Sequence, residues 1–113
     1  MGLDQNAYAV RQGVKKIELC SWRKHPNLEG WMAHRYFASG GDGSFNCKRL
    51  YLNDSDLDDL EEVLVNDELP ETEGCFFGTS MGDSDERAYD LEFVGKARYY
   101  LGQGYKVYYT SWW

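Results

Sequence analysis

Trp22-Arg23-Lys24-His25 sets two cations and an imidazole beside an indole, directly ahead of Pro26. Proline suits the first position of a helix, because its missing N–H would have no partner there. The four residues therefore lie where a strand gives way to a helix N-terminus. Backbone N–H groups point outward at such an end, and the helix dipole favours an anion. Arg23 can grip a phosphate or carboxylate through two parallel N–H bonds, and Lys24 adds a point charge. Trp22, and Trp31 on the helix that follows, offer ring faces on which a base can stack. Thr79 and Ser80, in the hydroxyl-rich stretch Phe77-Gly78-Thr79-Ser80-Met81-Gly82, can add hydrogen bonds. The chemistry expected of this set is binding of a small, nucleotide-like anion. The same residues also have an ordinary structural use, with both indoles in the core and Arg23 and Lys24 solvated.

Other chemistries find less support. The stretch around Thr79 is no phosphate-cradling loop, because the lysine of that motif is missing. Asp54-x-Asp56-x-Asp58 resembles the start of a calcium loop, but Asp59 stands where the loop requires glycine. His25, His34, Cys20, Cys47 and Cys75 have no spacing that suits zinc, and reduced, buried thiols are expected. No catalytic constellation, metal site or cofactor is expected. A weaker alternative keeps His25 as acid or base in a small hydrolase or transferase acting on a phosphorylated substrate.

The net charge of −7 is unevenly spread. Ten of the nineteen acidic residues fall between Asp54 and Glu73, a stretch without Lys or Arg, which leaves nine acids against twelve bases elsewhere. An acidic ridge on a mildly basic body argues against general, phosphate-driven nucleic-acid binding. The ridge suggests a second function, capture of a host protein through Asp58, Asp59, Glu61 and Glu62. A plain solvated helix face is its structural alternative. No run is long and apolar enough for a signal peptide or a membrane span, so a cytoplasmic location is expected.

The elements that must position these residues follow from periodicity. Asn6–Val10 suits a short strand, and Lys16–Trp22 alternates polar and apolar residues as a half-buried strand does. Leu28, Trp31, Met32 and Tyr36 recur at helical spacing, so a helix is expected from Pro26 to about Ala38. Cys47–Leu52 is a further strand. Asn53-Asp54-Ser55 starts a second helix, with Leu57, Leu60, Val63 and Leu64 as its apolar stripe. Cys75-Phe76-Phe77 is a short apolar strand or core insertion. Asp83 and Glu86 resemble a capping arrangement for a third helix, which runs to about Leu101. Tyr105–Thr110 is the terminal strand. Trp112 and Trp113 then either tuck into the domain or meet a partner, and a homodimer is one way to cover them. The chain is expected to be a single α+β domain over residues 1–113, with about four short, mainly antiparallel strands and three helices.

Four segments together carry a resemblance: Met1-Gly2-Leu3-Asp4, Trp22-Arg23-Lys24-His25 with Trp31, Phe76-Phe77-Gly78, and Tyr108-Tyr109-Thr110-Ser111-Trp112. In this order they resemble a family of small uncharacterised proteins of tailed phages, cyanophages and bacterial genomes. Members begin MGLD, carry YWRK before a helix, then FFFG, and end in a YYxSSW-like tail. The chain departs from that pattern at Asn6, Ser21, Cys75 and Thr110. Members are often labelled phosphoglycerate kinase, but such a kinase needs two domains closing on two substrates, and this chain is too short. The resemblance implies a phage-like origin, a setting in the host cell, and interference with host defence or metabolism as a role.

Overall fold

The computed structural model of the chain describes residues 2–70, 72 and 84–113. Cys75-Phe76-Phe77, the loop with Thr79 and Ser80, and Asp83 lie outside the described residues. Four strands, β1 (Asp4–Arg11), β2 (Val14–Arg23), β3 (Arg49–Leu52) and β4 (Lys106–Trp112), form one antiparallel sheet in the order β2-β1-β4-β3. Three helices accompany it: α1 (Pro26–Ala38), α2 (Asp54–Val65) and α3 (Ser84–Gly102). The fold is thus α+β, as the periodicity of the sequence requires. Among the described residues no helix is long and apolar enough to cross a membrane.

Local chemistry fixes each junction. Arg11 pairs with Val14, leaving Gln12-Gly13 as a two-residue turn, and Gly13 takes the positive φ of +80° that tight hairpins demand. The β1–β2 register slips between Ala7 and Tyr8, a bulge that lets Leu19 and Cys20 both turn inward. Lys24 adopts a left-handed φ of +56°, and its N–H bonds the Leu3 carbonyl. That sharp bend swings His25 inward while Lys24 stays exposed. Asn53 caps α2 reciprocally: its side chain accepts from the Asp56 N–H (2.8 Å), and the Asp56 carboxyl accepts from the Asn53 N–H (3.0 Å). Gly30, an unfavourable residue inside a helix, has a packing reason, because a Cβ there would meet the Thr72 hydroxyl at 1.9 Å.

The helices cover one sheet face. Ala7, Leu50, Val107 and Tyr109 point into a core completed by Leu28 and Met32 of α1, Leu57 and Leu60 of α2, and Phe93 and Val94 of α3. The opposite face carries none of the described helices. Period-two alternation sends Asp4, Asn6 and Tyr8 of β1, Tyr108, Thr110 and Trp112 of β4, and Arg49 and Tyr51 of β3 onto it. Trp113 turns back: it packs on the core, and its backbone exchanges two 3.1 Å hydrogen bonds with the Asn46 side chain. Trp112 remains outside, 55% exposed. Cys20 is buried, but Cys47 is exposed, since its φ of +63° turns the chain at the sheet end.

α2 is not a free acidic ridge. Arg35 of α1 contacts Asp59 and lies 3.5 Å from Asp56 on one side. Arg98 of α3 reaches Asp58 (2.7 Å) and Glu61 (2.8 Å) on the other. Of the four acids expected to meet a partner, Asp58, Asp59 and Glu61 are therefore engaged within the chain, and Glu62 is exposed, with no ion pair among the described residues. These pairs are partly exposed, so each contributes modestly. Replacing Arg98 by alanine is expected to cost about 1 kcal/mol, and the loss should shrink at high salt. Urea unfolding at two ionic strengths tests this; an equal loss at both would show that the Arg98 stem, and not its charge, matters.

Candidate ligand-binding face

All five of the buried polar residues found among the described residues, Gln5, His25, Glu29, Asp90 and Ser111, gather behind β1 and β4. Asp90 of α3 sits in an otherwise apolar stripe. One of its oxygens accepts from the Trp22 indole N–H (2.8 Å), and the other lies 2.8 Å from Nε2 of His25. Nδ1 of His25 faces Glu86 at 3.6 Å. The Gln5 amide clasps the His25 backbone on both sides, accepting from its N–H (2.9 Å) and donating to its carbonyl (3.0 Å). Gln5 also donates to the Tyr109 hydroxyl (2.8 Å), which donates to Glu29 at 2.6 Å. Burial pushes the Glu29 carboxyl up to about 7, against the opposing pull of Tyr109 and Ser111. Burial likewise raises the Tyr109 hydroxyl well above its ordinary value, with Glu29 adding to the effect. The network ties the start of α1 and the middle of α3 to the two central strands.

What stands in front of that frame is the open sheet face. Two adjoining hollows of about 550 and 290 Å³ share Asp4, Asn6 and Trp112. Gln5, Ser21, Trp22 and Arg23 complete the first; Tyr8, Lys16, Arg49 and Thr110 are among those that line the second. Arg23 is 76% exposed and only loosely tied to Asp4, at 3.7 Å. Tyr8, Tyr108 and Tyr51 form a row across three strands, with centroids 5.4 and 5.5 Å apart. Lys16 lies over Tyr8 at 4.5 Å and Arg49 over Tyr108 at 4.6 Å. A separate hollow of about 650 Å³ runs between β2 and α3, but its one cation, Lys96, already bonds the Leu19 carbonyl and pairs with Glu92.

The residues expected to hold a ligand are thus divided between the two faces. Trp22 is in the core, edge-on to Phe93 at 5.2 Å, and Trp31 is buried with Arg35 over its ring at 5.0 Å. Neither indole offers a free face to a base. His25 is enclosed with Asp90, while Arg23 and Lys24 are exposed, and Arg23 joins the open face. The exposed indole is Trp112. Sequence alternation in β4 could have singled it out, since Trp112 shares its parity with Tyr108 and Thr110 and not with the core residues Val107 and Tyr109. The chain matches no family model, no curated protein and no solved structure.

Proposed function

We propose that the protein is a non-catalytic binding protein for a small, nucleotide-like anion, held on the open sheet face. The observation that carries this reading is the setting of Trp112. An indole that is 55% exposed lies in one hollow with the Arg23 guanidinium and the hydrogen-bonding side chains of Asn6 and Ser21. A ring to stack on, a fork-shaped cation for phosphate and neutral polar groups for a base edge are the three parts such a ligand needs. The buried His25–Asp90 pair supports a non-catalytic role, since neither group reaches the hollow. The phage-family resemblance adds a setting for the ligand: a nucleotide or nucleotide-like signal of the host cell.

A thermal-shift panel of nucleotides tests this. A ligand that binds only the folded state adds about 2.7 kcal/mol at one hundred times its Kd. One member of the panel should raise Tm by several degrees. Arg23→Ala and Trp112→Ala should each remove that rise while leaving the ligand-free stability within about 0.5 kcal/mol of the parent, because both side chains are exposed. A panel without any shift, or a shift that both variants retain, would reject the proposal.

A further inference from the structure

The open face is longer than one nucleotide. Tyr51, 48% exposed, lies opposite Tyr108, and Trp112 stands four residues further along β4. At about 3.3 Å per residue, and one strand across, the two exposed rings are roughly 14 Å apart. A stacked strand advances only about 3.4 Å per nucleotide. A mononucleotide on Trp112 therefore leaves Tyr51 uncovered, whereas a run of about three or four nucleotides spans both.

Between the rings, the strand register sets Arg49, Thr110, Asn6 and Ser21 in one row across the whole sheet. The Thr110 hydroxyl donates to the Lys48 carbonyl at 2.8 Å and keeps its lone pairs for accepting. Charge is complementary as well. The outward positions hold the cations Lys16, Arg23 and Arg49 on opposite sides of the ring row, against the acids Asp4 and Glu18. The acids of α2 are on the helical side, where Asp56, Asp58, Asp59 and Glu61 already pair with Arg35 or Arg98. A net charge of −7 thus coexists with a cationic sheet face, and binding through stacking does not need a basic protein overall.

Resting on the proposed nucleotide-like ligand, we infer that the occupant of this face is a short single-stranded nucleic acid, stacked at one end on Trp112 and at the other on Tyr51. Duplex is excluded by chemistry: its bases are stacked on each other and present no faces to the rings. Few phosphates are engaged, so the affinity falls only shallowly with salt, at a slope of about −0.7 per phosphate contact.

The test is titration of the full chain with thymidine monophosphate, single-stranded oligothymidylate of eight nucleotides, and a duplex of the same length, read by quenching of tryptophan fluorescence. The octamer should bind at least about tenfold tighter than the mononucleotide, the loss of one stacked base being worth that factor or more. Tyr51→Ala should remove most of this advantage without changing mononucleotide binding, and Tyr51→Phe should restore it. Tyr51 is on the exposed side of the edge strand, so both variants fold. Equal affinity for monophosphate and octamer, an octamer advantage that survives Tyr51→Ala, or duplex binding as tight as the single strand would overturn the inference while leaving the small-anion reading in place. Absence of binding by every probe would overturn the inference, and the nucleotide panel then decides the small-anion reading on its own.

Discussion

Asp90→Ala is expected to cost the fold about 3–5 kcal/mol, the range for breaking a buried, hydrogen-bonded charged or polar pair. Asp90 is 1% exposed and is the partner of two groups at once, the Trp22 indole N–H and the His25 ring. Alanine would leave both without that acceptor in a place water does not reach, and would add a cavity between Trp22 and His25. Domains of this kind are stable by only about 5–15 kcal/mol, so about a fifth or more of the total is at stake. Asp90→Asn should lose less, because one amide oxygen can still accept from Trp22. Urea unfolding followed by circular dichroism reads the difference. A loss below about 1 kcal/mol for the alanine variant would show that Asp90 does not hold Trp22 and His25 together. The prediction also separates frame from site: Asp90→Asn should weaken the fold and leave ligand affinity alone.

The elements were legible because each obeys its own period. Asn6–Val10 and Lys16–Trp22 alternate, Leu57 and Leu60 mark a helix stripe, and the structure extends these stretches by a few residues at the ends without changing their kind. The polar network was not legible from residue type, since Gln5, Glu29 and Asp90 are ordinary surface residues in most settings. A weak positional signal existed. Asp90 shares a helical face with Phe93, Val94 and Ala97, and Gln5 shares strand parity with Ala7 and Ala9, all of them buried. Trp22 and Trp31 misled for the converse reason. An indole next to Arg23 looks like a ligand platform, but strand parity places Trp22 opposite Gln5, on the side the helices cover. Which face of the sheet the helices choose is a tertiary fact, and no local run of sequence contains it.

Glu29→Gln is expected to stabilise the protein at alkaline pH and to have little effect in acid. Burial behind β4 pushes the Glu29 carboxyl to about 7 in the fold, from an ordinary value of 4.5. The folded state thus holds this proton more tightly than the unfolded chain does. Glu29 contributes its full stability below about pH 4.5 and loses it as pH rises through 7, beyond which folding encloses a charge. Glutamine keeps an oxygen to accept the Tyr109 hydroxyl and has no charge to bury. The gain at pH 8 is therefore as much as about 3 kcal/mol, since one pKa unit corresponds to about 1.36 kcal/mol. Other carboxyls, those of α2 among them, also shape the stability of the parent with pH. The difference between parent and variant isolates position 29, because the remaining groups are common to both. Urea midpoints at pH 5 and pH 8 should show the gap opening only at the higher pH. A constant gap would mean that Glu29 does not titrate between them, and that the hydrogen bond from Tyr109 outweighs its burial. An opening gap would identify a neutral carboxyl as the form the core was built around, with Tyr109, itself held by Gln5, arranged to bond it on the inner side of the same strands whose outer side carries Trp112.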